Sequence, residues 1–389
     1  MKLAKQMVLS TVAASCLVAS AAIAEDVKVG LILSLSGPGA VLGKEMRNGI
    51  DLAFEQLDGK LGGLDAELVF EDDQRKPDLG KQAAERLVRS EKVDFVIGPS
   101  FSNVMMAVHR PVVRTDTILI SPNPAPAPLA GEDCNPNYFA VPFQNDQPSE
   151  ALATYMNDQG IENVYILAPN YQAGRDVMEG FKRNFKGEIL GEVYTSLEQT
   201  DFSAELTAMK STAPQAVFAF YPGGLGIQFV KQYDQSGAKA NTPLYTAFSI
   251  FNGAALEAVE AAGLGVYAST QWTYDLDNDA NKQFVEAYTA KFGAIPSDFA
   301  AMAYDSVRLI DGSITAAGGV DDKAAVRDAM KTAPFESVRG SFAFNNNNHP
   351  VQSMFLGQVE QAESGQYVLA NKATLAEDVQ DFYAQDCKM

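Results

Sequence analysis

The feature that most constrains this chain is a regular alternation between short apolar runs and longer amphipathic segments. Strand-length apolar runs stand at Val27–Leu33, 68–70, Phe95–Ile97 and 118–120. Segments with helical spacing stand between them, at 43–57 and at 77–90, where a proline opens the second one. Strands that alternate with helices of this length predict parallel βαβ units.

The same alternation restarts after Phe143. The predicted strands of this second half are 164–167, 189–194 and 216–220, and the predicted helices are 147–159, 174–185 and 226–236. Two consecutive α/β, doubly wound units predict two similar lobes. Ligands of such sheets bind beyond the carboxyl ends of the strands, in the loops that open the next helix. The asparagine run at 345–348 predicts a surface turn.

The N-terminal segment predicts a secretory signal peptide over residues 1–24, and hence a periplasmic location. Lys2 and Lys5 precede an apolar stretch, and 22–24 places alanine at the two positions that signal peptidase recognises. A permanent membrane anchor is one alternative, but the apolar stretch is short for a span of ~20 residues. A lipid on Cys16 is another, although the large apolar residue usual three positions earlier is missing.

Charge and cysteine content narrow the partners and the compartment. The 389-residue chain has a formal net charge of −19, which argues against nucleic acid as a partner. Beyond the signal peptide only Cys134 and Cys387 remain. In an oxidising periplasm the default is a disulfide that ties the C-terminal tail to a loop of the first half, and two separate thiols are the alternative.

An ordered set of short motifs follows this alternation along nearly the whole mature chain. They are Val27-Lys28-Val29-Gly30, Leu35-Ser36-Gly37-Pro38, Glu71-Asp72-Asp73 with Pro77, Val96-Ile97-Gly98-Pro99 with Ser102, Ile120-Ser121-Pro122, and Thr200-Asp201-Phe202-Ser203. In this order they resemble the leucine/isoleucine/valine-binding protein family, the periplasmic receptors of branched-chain amino acid importers.

The resemblance implies the type I periplasmic binding protein fold, with two lobes joined by three crossovers. We expect the crossovers near Phe143, 269–272 and 336–339. The first lobe would then comprise 25–143 with 271–336, and the second 144–270 with 337–389. The ligand would be trapped between the lobes by hinge closure. The expected partners are a small carboxylate ligand and ABC permease subunits. The family expectation is a monomer, and no cofactor is implied.

Two first-lobe loops are the candidates for holding a carboxylate. In the family, the position of Ser102 binds the ligand carboxylate at a helix N-terminus. Free backbone N–H groups and the helix dipole favour an anion there, although an ordinary N-cap is the alternative. With Phe101 and Asn103 beside it, Ser102 forms the first loop. Asn123 and Ala125 match the second loop, where a proline between them removes one backbone donor.

The most informative position departs from the family. Amino-acid receptors place a glutamate in the second lobe against the ligand ammonium, and Phe248 and Ser249 stand there instead. A buried ammonium without a counter-charge is costly, which argues against an α-amino acid ligand.

Aromatic side chains cluster at the predicted strand ends. Leu42 stands where branched-chain receptors carry a tyrosine, and 169–174, which contains Tyr171 and Ala173, resembles a loop of aromatic-acid receptors. Flat rings stack on other rings, so a benzoate- or cinnamate-like acid is favoured, and core or hinge packing is the alternative for each ring. The aromatic candidates are Phe101, Tyr171, Tyr221, Phe248, Phe251 and Trp272.

Enzyme chemistry is poorly represented. The only histidines are His109, within a predicted helix, and His349, in a turn, and no HExxH, CxxC or GxSxG spacing occurs. No metal site is therefore predicted. A branched-chain or other amino-acid receptor is the alternative within the family. A ligand-sensing module for a membrane receptor and, last, a secreted enzyme are the alternatives outside it.

Overall fold

The computed structural model describes residues 26–248 and 253–389. The predicted signal peptide, 1–24, lies outside the described residues. Within the described ranges, no helix combines the length and the apolar character needed to cross a membrane.

The first sheet has six strands in the order β2-β3-β1-β4-β5-β6. They are β1 (Val27–Leu33), β2 (Lys60–Leu61), β3 (Leu64–Asp72), β4 (Phe95–Ile97), β5 (Ile118–Ser121) and β6 (Tyr138–Ala140). All neighbouring pairs are parallel except β2–β3. The central strands are apolar on both faces because helices cover both sides of the sheet.

Four helices accompany the first sheet. They are α1 (Ala40–Gln56), α2 (Pro77–Arg86), which continues as one π-helical turn at Leu87–Glu91, α3 (Ser102–Val113) and the short α4 (Ala127–Ala130). A later helix, α11 (Asp298–Ala317), packs directly on α1. A β-carbon on Gly49 would lie 2.1 Å from the carbonyl oxygen of Ala300, so only glycine permits this approach.

The second sheet has eight strands. β8, β7, β9, β10 and β11 are parallel, and β13, β12 and β14 extend the sheet in the antiparallel sense. Their bounds are β7 (Asn163–Pro169), β8 (Glu188–Thr195), β9 (Ala216–Ala219), β10 (Leu244–Ala247), β11 (Tyr267–Thr270), β12 (Phe342–Phe344), β13 (Pro350–Gln361) and β14 (Tyr367–Val379).

The remaining helices divide between the lobes. α5 (Gln147–Asp158), α6 (Gln172–Asn184), α7 (Ser203–Thr212), α8 (Gly224–Gln235) and α9 (Ala254–Val259) accompany the second sheet, and α10 (Asp279–Phe292), α11 (Asp298–Ala317) and α12 (Lys323–Lys331) return to the first. The predicted helices and strands of both halves lie at these positions, with ends displaced by a few residues.

The two sheets share one topology, which confirms the predicted pair of doubly wound lobes. β3-β1-β4-β5-β6 and β8-β7-β9-β10-β11 repeat the same strand order, whose switch point lies beside the first strand of each lobe. The chain passes between the sheets three times, after β6, after β11 and before β12. The predicted boundaries at 143, 270 and 336 fall within these passages and stay predictions as boundaries.

The C-terminal region is joined to loops of the first lobe by a disulfide and by side-chain hydrogen bonds. Cys134 and Cys387 form a disulfide, so the tail is tied to the loop after α4. The turn predicted at 345–348 to be on the surface is partly buried, which corrects that prediction. Asn347 donates to the Ala130 carbonyl and Asn348 to the Tyr138 carbonyl, so these amides satisfy first-lobe backbone that water cannot reach.

Candidate functional site

An interlobe cleft lies beyond the carboxyl ends of the parallel strands of both sheets. Its walls enclose about 420 Å³ not filled by protein atoms, part of it continuous with solvent. Loops after β4, β5, β7, β9 and β10 supply most of the lining, as the shared switch-point topology requires. The lining residues are Leu42, Ser100, Phe101, Ser102, Asn123, Pro124, Phe143, Asn145, Tyr171, Ala173, Phe220, Pro222, Ala247, Phe248 and Phe299.

Ser102 begins α3 at the first-lobe wall. Phe101 is the N-cap residue, in extended conformation, and no side chain caps the helix. Ser102 is therefore the first residue of the helix and not its N-cap, which contradicts the N-cap alternative. In its first turn the Val104 N–H donates to the Phe101 carbonyl at 3.1 Å, while the N–H groups of Ser102 and Asn103 have no acceptor within the helix. The positive end of the helix dipole faces the cleft. This is a ready position for an anion.

Asn145, in the first crossover, fixes the direction of the Ser102 hydroxyl. Its carbonyl Oδ1 accepts the Ala125 N–H at 3.0 Å, which determines the amide orientation. Its Nδ2 therefore donates to Ser102 Oγ at 3.2 Å. Because that oxygen accepts from Asn145, the hydroxyl proton of Ser102 is free to be donated into the cleft.

Asp176 on α6 holds the other side of Asn145. Its Oδ2 accepts from Asn145 Nδ2 at 2.8 Å, and it is 5% exposed. Burial, reinforced by the charge of nearby Asp146, raises the pKa of Asp176 to about 7. This carboxyl does not line the cleft, and the Asn145 side chain lies between it and the lining residue Ser102.

The second of the two first-lobe loops, which contains Asn123, faces the cleft with side chains more than with free backbone N–H groups. Asn123 Nδ2 donates to the Ser100 carbonyl at 2.8 Å, which ties the two loops together. The Pro124 carbonyl accepts from Ser121 and from Tyr138, so it is satisfied inside the lobe. This loop shapes the cleft floor, while the α3 terminus offers the free donors.

Aromatic rings form the opposite wall. Phe143 and Phe248 stack with ring centroids 4.3 Å apart, and Phe248 meets Phe220 edge-on at 5.2 Å. Phe220 in turn lies nearly parallel to Tyr171, with centroids 6.3 Å apart. Burial raises the pKa of Tyr171, so its hydroxyl stays neutral at physiological pH. The result is a set of flat apolar faces that can stack on a ring.

The backbone at Phe248 is unusual. Its φ is 55°, in the left-handed region that bulky residues rarely adopt and that concentrates at ligand clamps. The predicted Ser249, and Phe251 after it, lie outside the described residues.

No charged side chain is among the described residues that line the cleft. Arg75 lies behind Phe101, with its guanidinium 5.8 Å from the ring centroid, and pairs with Glu198 of the second lobe. The undescribed residues 249–252 contain no acid or base in the sequence. The cleft therefore has neither a carboxylate for a ligand ammonium nor a fixed cation.

The structure brings together seven of the predicted site residues: Leu42, Phe101, Ser102, Asn123, Tyr171, Ala173 and Phe248. It places four others outside the lining. Asn103 donates to the Arg75 carbonyl, and Ala125 is buried with its N–H on Asn145. Tyr221 packs in the second-lobe core against Phe202 and Phe229, and Trp272 donates its indole N–H to Asn281 beside α10.

Sequence reasoning missed several lining residues. The sequence predicts Phe220 only as the end of a strand and favours Tyr221 as the cleft residue. Both residues follow the end of β9, and the chain there directs the Phe220 ring to the cleft and the Tyr221 ring to the core of the second lobe. Asn145 and Phe299 belong to no motif, and only the three-dimensional fold places them beside Ser102 and Leu42. Within the described residues, no cluster of histidine, cysteine, aspartate and glutamate could hold a metal ion.

Known proteins with similar sequences and structures share this architecture. The family described as periplasmic binding protein matches residues 26–366. Leu/Ile/Val-binding protein homolog 6 of Brucella melitensis is 30% identical over 376 residues, covering 93% of this chain and 95% of the relative.

Two solved structures are similar over almost their whole length. One is an ABC transporter solute-binding protein from R. palustris in complex with benzoate, with a TM-score of 0.88, 30% identity and coverage of 94% of this chain and 100% of that one. The other is a solute-binding protein from Rhodopseudomonas palustris BisB5 in complex with 3,4-dihydroxybenzoic acid. Its TM-score is 0.87 and its identity 27%, with coverage of 92% and 99%.

Proposed function

Because this chain belongs to the periplasmic binding protein family and is the solute-binding protein of an ABC transporter, we propose that it captures a small aromatic carboxylate of the benzoate or cinnamate class between its lobes. Family membership confirms the resemblance drawn from the ordered motifs. Its relatives are binding proteins that work with permease subunits, and this chain is likewise a binding protein rather than an enzyme.

The observation that carries the proposal is the pairing of one anion position with a ring-lined, uncharged cleft. Ser102 offers a hydroxyl proton and the α3 terminus offers backbone N–H groups to a carboxylate. Tyr171, Phe220 and Phe248 offer faces to an aromatic ring. A benzoate has both parts in one flat molecule, so each wall is matched by one part of the ligand.

The transport mechanism follows from the two-lobed architecture. The ligand carboxylate would bind first at Ser102 and the Asn123 loop, and the second lobe would then close its aromatic loops over the ring. A ligand that contacts both lobes stabilises the closed state over the open one, so binding shifts the population toward closure. The permease would recognise the closed pair of lobe surfaces. The receptor would be a monomer in the periplasm, delivered there by the 1–24 signal peptide.

Branched-chain amino acids are the second candidate because the Brucella relative is named a Leu/Ile/Val-binding protein homolog. An α-amino acid would bring an ammonium group into a cleft without an acidic lining residue. Asp176 approaches the cleft only through Asn145, whose amide separates it from the ligand space. Burying an ammonium group without a counter-charge costs on the order of several kcal/mol. The aromatic acid is therefore favoured.

A ligand panel on the purified mature protein tests the proposal. Benzoate should raise the unfolding temperature and the free energy of unfolding, by about 2.7 kcal/mol at 100 times its Kd. Two matched compounds separate the parts of the ligand: cyclohexanecarboxylate keeps the charge without the aromatic ring, and benzylamine keeps the ring with the opposite charge. Both should bind more weakly than benzoate. Stabilisation by leucine or valine, with none by benzoate or cinnamate, would replace this function with the amino-acid receptor.

A further inference from the structure

Asp176 occupies a position that no ligand contact explains. It projects from α6 of the second lobe, yet its Oδ2 accepts from first-lobe Ala127 N at 3.2 Å as well as from Asn145 Nδ2 at 2.8 Å. Its Oδ1 accepts from Gln172 Nε2 at 2.8 Å. The carboxyl therefore joins the two lobes directly behind the position proposed for the ligand anion.

The Ser102 hydroxyl and the Asn145 amide lie between Asp176 and the position proposed for the ligand carboxylate. Asn145 Nδ2 donates both to Asp176 Oδ2 and, at 3.2 Å, to Ser102 Oγ, and all three side chains are at least 95% buried. A carboxylate bound at Ser102 would stand three hydrogen bonds away from Asp176, in a closed cleft with little water to screen the charges. Like charges at this spacing oppose each other and favour protonation of one of them.

The charges that surround Asp176 do not relieve this repulsion. Asp146, at the N-terminus of α5, adds a like charge, and its own counter-ion Arg183 is shared with Glu150. Tyr171, on the loop before α6, is neutral. The surface cleft beyond Ala127 and Gln172 is lined by further acids, namely Glu132, Asp133 and Asp386. No cation among the described residues pairs with Asp176.

We propose that Asp176 is a positioning residue that couples carboxylate binding at Ser102 to protonation of its own carboxyl group from solvent. This inference rests on the proposed function. The proton goes to Oδ1, which accepts one hydrogen bond, while Oδ2 keeps its bonds to Asn145 and Ala127. The Asn145 amide thus keeps its orientation toward Ser102 whether or not Asp176 is ionised.

The sign of the pH dependence follows from linkage. Burial places the pKa of Asp176 at about 7 in the ligand-free protein, and a bound anion would raise it further. Affinity for an anion is therefore highest below pH ~7, falls as the pH rises through this value, and levels off above the raised pKa of the complex. A rise of roughly half to one pKa unit corresponds to a total loss of about 3- to 10-fold in affinity.

Isothermal titration calorimetry of wild-type protein with benzoate between pH 6 and pH 9 provides the first test. Near pH ~7.5, titrations in two buffers of different ionisation enthalpy should give a net uptake of a fraction of one proton per benzoate. Benzoate is ionised throughout this range, so the proton cannot belong to the ligand. Benzamide has the same shape without the charge, and its binding should take up no proton and show a flat pH profile.

Asp176→Asn supplies the matched variant. Asparagine can still accept from Asn145 and Ala127 while Gln172 turns its carbonyl toward the new amide, so the geometry is kept and the charge is lost. The variant should bind benzoate with a flat pH profile and, at pH 8.5, at least as tightly as wild type. Asp311→Asn, which removes a charge that accepts from Gly62 N outside the cleft, should keep the wild-type profile.

The outcomes separate this inference from the function on which it rests. Binding of benzoate by wild type with no proton uptake and no pH dependence overturns the coupling and leaves the receptor function intact. An unchanged pH dependence in Asp176→Asn likewise overturns the coupling and leaves the receptor function intact. No benzoate binding at any pH overturns the proposed function and the coupling with it. If Asp176→Asn does not fold, the two-buffer titration of wild type decides alone.

Discussion

The cleft and the crossovers both lie between the lobes, yet they differ in whether their side chains are charged. The described cleft lining holds rings, small residues and a few amides, without one charged side chain. The third crossover contributes Arg339 to a fully buried ion pair, in which Arg339 donates to Oδ2 of Asp305 on α11 at 3.2 Å. Arg339 also donates to the Val141 carbonyl and to Gln352, so one guanidinium joins the first crossover, the third crossover and β13.

The difference follows from what each region must do. Crossover backbone is buried without sheet partners, so its carbonyls need donors supplied by side chains. The cleft must instead accept a ligand in place of water, and a fixed charge there would have to be desolvated by every ligand. Stability is therefore concentrated at the crossovers and affinity in the cleft. We expect mutations in the two regions to separate these two quantities.

The largest effect is expected from Arg339→Met. Burial lowers the pKa of Arg339 to about 10 and raises that of Asp305, so each group depends on the other to remain charged. Removing the cation leaves Asp305 buried and unpaired, which should lower the free energy of unfolding by about 3–5 kcal/mol. Urea unfolding measures this loss.

Two controls define what Arg339→Met would mean. Lys331→Met removes an exposed partner of Asp328 and should change stability by less than about 0.5 kcal/mol. The benzoate Kd of Arg339→Met, measured where the variant is folded, should stay within roughly threefold of wild type. A loss of affinity as large as the loss of stability would remove the separation between crossovers and cleft.

Phe248→Ala should have the largest effect on affinity. Phe248 stacks on Phe143 and meets Phe220 edge-on, and a bound ring would be held by the same faces. Loss of ring contact and of apolar burial predicts a weakening of about 3 kcal/mol, or about 100-fold in the Kd for benzoate. Titration calorimetry measures the change.

The matched control is Phe202→Ala, which removes a fully buried ring from the second-lobe core. It should lower the free energy of unfolding by about 3–5 kcal/mol and leave the Kd for benzoate unchanged. Equal losses of affinity in the two variants would show that the aromatic wall acts through general packing of the second lobe.

Ser102→Ala tests the anion position. Removal of the hydroxyl deletes one donor to the carboxylate and one acceptor of Asn145, and should weaken benzoate binding by about 1–3 kcal/mol. Ser306→Ala, which removes a buried hydroxyl bonded to the Met302 carbonyl within α11, should not change the Kd. Unchanged affinity in Ser102→Ala would remove Ser102 from the site and transfer the anion to the backbone N–H groups.

The sequence predicts the strands and helices of the two lobes better than it predicts the side-chain contacts within the cleft and the crossovers. Alternating strands and helices are visible because burial imposes a period on contiguous residues, and strand ends locate Ser102, Tyr171 and Phe248. Buried charged residues follow no such period in the sequence. Asp176, Asp305 and Arg339 resemble surface residues in sequence, and only partners from distant segments make their burial tolerable. The antiparallel strands β12–β14 were likewise not predicted, since they form outside the repeated unit.

Asn145 shows most clearly why a site cannot be completed from sequence. It stands 43 residues from Ser102 and 31 from Asp176, in a passage between sheets that has no regular structure and no motif. Its role depends on a carbonyl held by Ala125 N–H, which is a consequence of tertiary structure alone. A polar residue in such a passage has no local signal that distinguishes it from a solvated one.

The smallest expected effect tests whether any charge assists closure. Arg75 of the first lobe is buried and pairs with Glu198 of the second, which is 70% exposed. A pair with one solvated partner is worth about 0.5 kcal/mol, so Glu198→Gln should weaken benzoate binding by roughly twofold at low salt, and the difference should disappear at high salt. Glu192→Gln breaks a pair with Lys182 inside the second lobe and should leave the Kd unchanged. A loss above tenfold in Glu198→Gln would mean that closure depends on a charge pair at the cleft edge, and the contrast between an uncharged cleft and charged crossovers would no longer hold.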